Sequence, residues 1–172
     1  MLFIYFLIST VFCQNLIENP SFEEIENNKI KDWKDYTQGV LSTDSHSGMY
    51  SLNWKPQNRS MVVLIYIDGL EKDFQYEVCV NYKLKNIEGF QLCLKNNNKT
   101  GDYRESYYSS IKKGTNDDWK LFCFRSGNLL RSSGEYDKFE VQIFTLKQID
   151  TTNTAEVFVD DVSVHRVNDK LE

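Results

Sequence analysis

The segment FQYEVCVNYKL, which runs from Phe74 to Leu84, indicates the fold class of this chain. Apolar and polar side chains alternate along it, and this period of two is that of a β-strand with one face on a core. We therefore expect one long strand whose even-numbered side chains are buried. These side chains are Phe74, Tyr76, Val78, Val80, Tyr82 and Leu84.

The same alternation recurs in three shorter segments of the chain. Clusters of turn-forming residues separate the segments, and helical spacing is nowhere as clear. Several short alternating strands between turns predict an all-β chain that folds as a β-sandwich of two packed antiparallel sheets. The apolar positions of these segments are Tyr50, Leu52 and Trp54, then Phe90, Leu92 and Leu94, then Phe139, Val141 and Ile143.

The length and composition favour one packed domain with an excess of acidic residues. The 172 residues are 41% hydrophobic and 26% charged, which suffices for one core but not for two full domains. Eleven Phe, ten Tyr and three Trp against two Pro argue against disorder. The net charge of −5 disfavours nucleic acid and anionic membranes as partners, so we expect neither.

The N-terminal segment 1–13 has the composition of a signal peptide. It contains no charged residue, is almost entirely apolar from Leu2 to Ile8, and allows cleavage before Gln14. It departs from the usual pattern in lacking Lys or Arg ahead of the apolar run. The run is shorter than the roughly 20 residues that span a bilayer. We therefore expect a secreted, extracellular domain over residues 14–172 that does not insert into membranes.

Two glycosylation sequons are compatible with secretion, namely Asn58-Arg59-Ser60 and Asn98-Lys99-Thr100. Such triplets also arise by chance in an Asn-rich chain, so they leave open whether the protein is a glycoprotein. The expectation of an extracellular location therefore rests on the signal peptide.

Removal of segment 1–13 leaves three cysteines, Cys79, Cys93 and Cys123, so at least one stays unpaired. Cys79 and Cys93 occupy the polar phase of their alternating segments, which places both on faces that point away from the core. If the two segments form a hairpin, a Cys79–Cys93 disulfide comes within reach. Three reduced, partly buried thiols are the alternative.

Six short motifs follow one another in an order and spacing that resemble those of a known family. They are NLIENPSFE at Asn15–Glu23, Trp33, HSGMYSL at His46–Leu52, Tyr76, Trp119 and VFVDDVSV at Val157–Val164. Together they resemble carbohydrate-binding modules of the family 4/9/22 type, which share a galactose-binding-like fold. The resemblance covers nearly all of residues 14–172 and implies a jelly-roll β-sandwich. It also implies a non-catalytic module that recognises a polysaccharide or a glycoprotein glycan.

The acidic residues of the first and last motifs have the chemistry of a calcium site. Glu23 and Asp160 lie at opposite ends of the chain, which a sandwich can bring together, and Ca²⁺ accepts six to eight oxygen ligands in flexible geometry. The resemblance implies a structural calcium held by these two carboxylates and by carbonyls near Ser21 and Gly48. The alternative is that the carboxylates are solvated turn residues.

The resemblance also implies a sugar-binding groove lined by aromatic side chains. An aromatic ring covers the apolar C–H face of a pyranose with little polar desolvation. In the step Trp33-Lys34-Asp35-Tyr36, Trp33 would pack in the core and Tyr36 would reach the sugar. The second stacking position falls on Tyr103. Further candidates are Tyr107 and Tyr108 after it, Gln142 as a hydrogen-bonding side chain, and Phe144 on the same strand face as Gln142. Ordinary packing is the alternative for each aromatic residue.

Catalytic motifs are missing from the sequence. The only histidines are His46 and His165, and no catalytic triad, HExxH motif, phosphate loop or zinc-ligand spacing can be assigned. We therefore expect no enzyme activity. The main alternative to sugar binding is an adhesion or recognition sandwich that binds a protein, because one fold hosts both functions. A secreted enzyme would need a buried carboxylate pair in a cleft.

Overall fold

The computed structural model describes residues 14–27, 29–33, 39–56, 61–97, 103–114, 116–129, 138–146 and 154–167. The predicted signal peptide and both sequons lie outside these ranges. Within them the regular structure is made of strands, and no helix is long and apolar enough to cross a membrane. The strands are β1 (Ile25–Glu26), β2 (Lys29–Ile30), β3 (Val40–Ser42), β4 (Ser51–Trp54), β5 (Met61–Ile67), β6 (Gln75–Lys85), β7 (Gly89–Asn97), β8 (Tyr103–Tyr108), β9 (Lys112–Lys113), β10 (Asn116–Arg125), β11 (Lys138–Thr145) and β12 (Glu156–Val167).

Two antiparallel sheets pack on each other. The first, sheet I, has the strand order β10-β6-β12-β4-β3. The second, sheet II, has the order β5-β11-β7-β8, with β9 paired to β7. Strands β1 and β2 pair separately. The predicted all-β sandwich of two antiparallel sheets is therefore confirmed.

The core between the sheets is built from the side chains that the alternation predicts. Val78 and Val80 of β6 are fully buried, and so are Phe90 and Leu92 of β7. Each side chain of this size contributes about 1.5–3 kcal/mol when fully buried, so these positions dominate the stability of the sandwich. The other predicted positions inside the core are Leu52, Trp54, Tyr76, Tyr82, Leu84, Leu94, Phe139, Val141 and Ile143, while Tyr50 and Phe74 pack against its edge.

The turn after β6 carries the chain from one sheet to the other. Strand β6 lies in sheet I between β10 and β12, whereas β7 lies in sheet II between β11 and β8. The two strands are consecutive in the sequence but do not pair with each other. The predicted hairpin between them is therefore wrong.

The pairing of the cysteines depends on which strands are neighbours in each sheet. Cys79 is bonded to Cys123, its direct partner on β10, and their Cα atoms are 4.1 Å apart. Cys93 is a free and buried thiol. The predicted Cys79–Cys93 bond is therefore wrong. The alternation assigned each cysteine to the correct face of its strand, but it carries no information about which strand lies alongside.

The N-terminal segment 15–23 packs against the last strand. The backbone N–H of Leu16 donates to the carbonyl of Val164 at 2.9 Å, and Oδ1 of Asn15 accepts the N–H of Val164 at 2.9 Å. Strand β12 pairs with β6 and β4 near the centre of sheet I, and its register shifts after Asp160. This packing brings the first motif of the chain beside the last one.

Candidate functional site

Glu23 holds one end of the loop 44–50, named here the clamp loop. Its Oε1 accepts the backbone N–H groups of Met49 and Tyr50, each at 2.9 Å. Gly48 has a φ of +59°, and a Cβ at this position would lie 2.4 Å from Oε1 of Glu23. The loop therefore needs glycine at position 48, both for the left-handed backbone and for the approach of the carboxylate.

Asp160 holds the other end of the clamp loop from within sheet I. Its Oδ2 accepts the N–H groups of His46 at 2.8 Å and Ser47 at 3.0 Å, and its Oδ1 accepts the N–H of Asp161 at 2.8 Å. Burial raises the pKa of Asp160, and the N–H donors partly oppose that rise. Glu23 and Asp160, which the sequence places at opposite ends of the chain, thus meet at one loop.

The clamp loop is also where calcium binding is predicted. Within the described ranges, no three His, Cys, Asp or Glu side chains cluster closely enough to hold a metal ion. Carbonyl oxygens, which calcium accepts, would have to complete the set. Both described hydrogen bonds of Glu23 use Oε1, so Oε2 remains available to a cation. Calcium coordination by Ser21, Glu23, Gly48 and Asp160 stays a prediction.

The outer face of sheet II carries polar and aromatic side chains and is named here the polar face. In the strand register, Gln142 of β11 lies opposite Cys93 of β7, and Cys93 lies opposite Tyr108 of β8. These positions alternate with the core residues of the same strands, so their side chains share the outer face. The neighbouring positions on this face are Glu140, Lys95 and Ser106 in one row and Phe144 and Gln91 in another.

Gln142 lies at the centre of the polar face and is completely buried. Its Nε2 donates to Oε2 of Glu140 at 2.6 Å, which fixes the amide plane. Its Oε1 is buried and has no hydrogen-bond partner among the described residues. A buried acceptor without a donor costs about 1–3 kcal/mol, so this oxygen is poised to accept a hydrogen bond.

Two opposite charges flank this amide. Glu140 and Lys95 are register partners on β11 and β7, and both are more than 90% buried. Burial lowers the pKa of Lys95, while the negative charge of Glu140 favours its protonated form. Burial also raises the pKa of the Cys93 thiol to about 11, so Cys93 is neutral at pH 7. Lys95 and Glu140 are therefore neighbours in the buried part of the polar face.

An aromatic pair lies beside these polar groups. The rings of Tyr108 and Phe144 have centroids 5.8 Å apart and planes tilted by 51°. Tyr108 is exposed, Phe144 is half-buried, and the Tyr108 side chain hydrogen-bonds to Cys93. The polar face thus combines apolar ring surface near solvent with buried hydrogen-bonding groups beneath it.

The structure brings together only part of the predicted ligand-binding set. Gln142 and Phe144 share the polar face, as expected, although Gln142 is buried rather than open to solvent. Tyr107 is on the opposite side of β8, where it packs against the core and donates to the carbonyl of Asn128, so it does not share the polar face. Its role in ligand binding stays a prediction. Tyr36 and the side chain of Tyr103 lie outside the described residues, and the Tyr103 backbone pairs with Asn97.

The sequence reasoning missed Lys95, Glu140 and Cys93 as members of this site. The sequence contained an indication of their position, because all three alternate with the apolar residues that were predicted to face the core. A charged residue in that phase is usually solvated. The alternation therefore gives the face of these side chains but not their burial.

Comparison of the sequence with protein-family profiles and with curated proteins finds no match. Comparison with solved structures finds carbohydrate-binding modules. The Family 16 Carbohydrate Binding Module-2 has a TM-score of 0.60 at 14% identity, covering 87% of this chain and 99% of that chain. The CBM22-1 xylan-binding domain from Paenibacillus barcinonensis Xyn10C has a TM-score of 0.56 at 13% identity, covering 86% and 91%.

A third similar structure is TmCBM61 in complex with β-1,4-galactotriose. Its TM-score is 0.51 at 17% identity, and the match covers 90% of this chain and 99% of that chain. At these identities the likeness concerns the fold. The chain therefore has a β-sandwich fold similar to that of these carbohydrate-binding modules.

Proposed function

We propose that this protein is a non-catalytic carbohydrate-binding protein and that its polar face recognises a polysaccharide or a glycoprotein glycan. The observation that carries the proposal is the buried Oε1 of Gln142, which has no hydrogen-bond partner within the described part of the chain. A sugar hydroxyl can donate to this oxygen and still accept from another group. An apolar ligand would leave the oxygen unpaired.

The groups around Gln142 suit the two kinds of surface that a sugar presents. The rings of Tyr108 and Phe144 can cover an apolar C–H face. The hydrogen bond from Gln142 to Glu140 keeps the free amide oxygen in one orientation, so little side-chain entropy is lost on binding. Gln142 is completely buried in this structure, so in this proposal the side chains that cover it move aside to admit the ligand.

The structural neighbours support this class of ligand. One is described as a xylan-binding domain and another is in complex with β-1,4-galactotriose. Those ligands belong to those proteins. For this chain they support a carbohydrate partner, and the sugar itself remains to be found.

The proposal also includes secretion and a structural calcium. The Cys79–Cys123 disulfide supports an oxidising compartment, in line with the predicted signal peptide at 1–13. The convergence of Glu23 and Asp160 on the clamp loop supports calcium, because an ion there would join both ends of the chain.

A protein partner is the second candidate, and it rests on a different face. Leu121 and Val40 are both exposed, at 66% and 65%, and both point outward from sheet I. Exposed apolar side chains on a sheet face are typical of protein-binding surfaces when they form a patch. These two residues lie on opposite edge strands of the sheet, so we rank this function second.

A glycan array followed by calorimetry tests the proposal. The protein over residues 14–172 should bind at least one glycan, and Gln142→Met should weaken that binding about tenfold or more because it removes the free acceptor at similar volume. Leu121→Ala is the matched control on the other sheet and should leave affinity unchanged. If the folded protein binds no glycan, the protein-binding alternative replaces this one.

A further inference from the structure

Four side chains form a row across the outer face of sheet I, on the opposite side of the sandwich from the polar face. In the strand register Phe158 of β12 lies between Lys83 of β6 and Asn53 of β4. Trp119, at the irregular part of the β10–β6 pairing, completes the row. Nζ of Lys83 is 5.3 Å from the ring centroid of Trp119 and 4.8 Å from that of Phe158. These four residues are named here the cross-strand row.

Two uncharged polar atoms of the cross-strand row have no hydrogen-bond partner. They are the donor Nε1 of Trp119 and the acceptor Oδ1 of Asn53, and both are buried without a partner among the described residues. Asn53 is only 9% exposed, and its Nδ2 donates to Oε1 of Glu156 at 3.5 Å. Buried polar groups in native proteins are nearly always bonded. The row therefore offers one donor and one acceptor to a ligand.

The charged groups beside these two atoms are paired within the protein. The Lys83 side chain is 7% exposed and bonds to the carboxylate of Asp44. Nζ of Lys85 lies 3.2 Å from Oε2 of Glu156. A charged ligand group would have to displace one of these partners, whereas an uncharged hydroxyl group would not. The cross-strand row therefore suits a ligand that is neutral and can both donate and accept hydrogen bonds.

We propose that the cross-strand row is a second saccharide site, so that one protein molecule binds sugar on both sheets. A hydroxyl group donates and accepts, so the hydroxyls of one neutral saccharide can pair both Asn53 and Trp119. An apolar protein surface would leave both atoms unpaired. Because the two atoms are buried, the side chains that cover them move aside on binding. The ligand class rests on the proposed function, and the location is new.

The length of the cross-strand row indicates the size of the ligand. Trp119 on β10 and Asn53 on β4 are separated by three strand spacings, or roughly 14 Å between their backbones. This distance exceeds the width of one sugar ring, so the ligand is an oligosaccharide segment.

The second site should be the weaker of the two. Trp119 is half-buried and Phe158 is only 3% exposed, whereas the polar face has the exposed ring of Tyr108. Less ring surface is therefore open for stacking on a sugar. We expect affinity at the cross-strand row to be about tenfold lower than at the polar face. A protein with two such sites would cross-link a polysaccharide.

The indole N–H signals of the protein over residues 14–172, labelled with ¹⁵N, provide a direct test. The chain has three tryptophans, and Trp119→Phe identifies the signal of Trp119. Trp33 is the internal reference, because its Nε1 already donates to the carbonyl of Asn19 at 3.0 Å. The probes are galactotriose, xylohexaose, cellohexaose and mannohexaose, all of them uncharged. Calorimetry with the same probes gives the number of sites.

At least one probe should shift the Trp119 signal and bind at two sites per protein. The shift should persist in Gln142→Met, which weakens the polar face alone. Trp119→Phe removes the donor and Asn53→Leu removes the acceptor at similar volume, so each should weaken the second site about tenfold. Leu121→Ala is the matched control, since Leu121 is exposed on β10 outside the row and its loss should leave both sites unchanged.

Two results would overturn the inference and leave the proposed function standing. One is a wild-type protein that binds a single oligosaccharide with no change at Trp119, which would leave this face to the protein-binding alternative. The other is a Trp119 shift that disappears in Gln142→Met, because the shift would then come from the polar face. The wild-type signal decides the matter even if Asn53→Leu fails to fold. If no probe binds the wild type, the proposed function is rejected together with the inference.

Discussion

Cys79 and Cys123 lie directly opposite each other on β6 and β10, and their disulfide ties an edge strand to the interior of sheet I. The bond closes a loop with a sequence separation of 44 residues. Replacing both cysteines with alanine should lower the free energy of unfolding by about 2–4 kcal/mol, mainly because the unfolded chain gains freedom. Chemical denaturation measures the change. Non-reducing peptide mapping that finds a Cys79–Cys93 link would contradict the strand pairing.

Cys93 should be inert to thiol reagents while the protein is folded. It is completely buried and its pKa is raised to about 11, so at pH 8 very little thiolate is present. For the protein over residues 14–172, which lacks Cys13, intact mass after treatment with iodoacetamide should show no modification without denaturant and one adduct in denaturant. Rapid labelling of the native protein would show that the polar face opens readily.

Gly48→Ala should destabilise the protein more than Gly69→Ala does. Both residues have positive φ, at +59° and +78°, so both alanines cost about 1–2 kcal/mol in the left-handed backbone. Only at Gly48 would the new Cβ collide with Glu23, whereas nothing lies within 4 Å at Gly69. Thermal unfolding of both variants measures the difference. Equal effects would mean that Glu23 moves aside without loss.

The pH dependence of stability should reveal the buried carboxyl of Asp160. Burial raises its pKa above the ordinary value of 3.8, so the folded state binds this proton more readily than the unfolded state. The resulting stabilisation is fully present below pH 3.8 and is lost as pH rises through the raised pKa. The unfolding free energy of the wild type minus that of Asp160→Asn, measured in EDTA, should therefore fall over this range. A rise would mean that the N–H bonds from the clamp loop outweigh burial.

Calcium should raise the melting temperature if it binds at the clamp loop. An ion that binds only the folded state stabilises it by RT ln(1 + [L]/Kd). Asp160→Ala should remove most of this gain, and magnesium serves as the control ion because it prefers shorter, octahedral coordination. A melting curve that is indifferent to both calcium and EDTA rejects the calcium prediction.

The aromatic side chains should contribute to sugar affinity without supporting the fold. Tyr36→Ala, Tyr103→Ala and Tyr108→Ala should each weaken binding by on the order of 1–3 kcal/mol, or roughly five- to 150-fold in Kd. Trp33→Ala is the contrasting change, since Trp33 is buried against Phe22 with ring centroids 4.4 Å apart. It should destabilise the fold by about 3–5 kcal/mol. Full affinity in all three tyrosine variants would place the groove elsewhere.

The sequence predicted well which side chains of a single strand are buried. Alternation in residues 74–84 and in β7 and β11 assigns buried faces from the geometry of single strands, and Val80, Leu92 and Val141 are all fully buried. The alternation does not predict which strands pair with each other. The separation of β6 and β7 into two sheets depends on contacts across the whole chain, which explains the incorrect disulfide prediction.

For the candidate site, the sequence predicted that Gln142 and Phe144 share one strand face, but not which side chains around them are buried. The motifs pointed to a sugar-binding face, and Gln142 and Phe144 do lie together on one outer face. The buried pair of Glu140 and Lys95 was not expected, because charged residues in the polar phase of a strand are normally solvated. Their burial depends on packing around the sheet.

The hydrogen bonds that join Asn15 and Leu16 to Val164 determine how the molecule responds to a mechanical force. Tension applied between residues 14 and 167 acts first on these contacts, because they join the two ends of the described chain. All of them lie on the side of sheet I. The polar face belongs to sheet II, whose strands run from Met61 to Thr145 and lie between those ends in the sequence. A glycan held on that face and a pull on the chain ends would therefore strain different sheets.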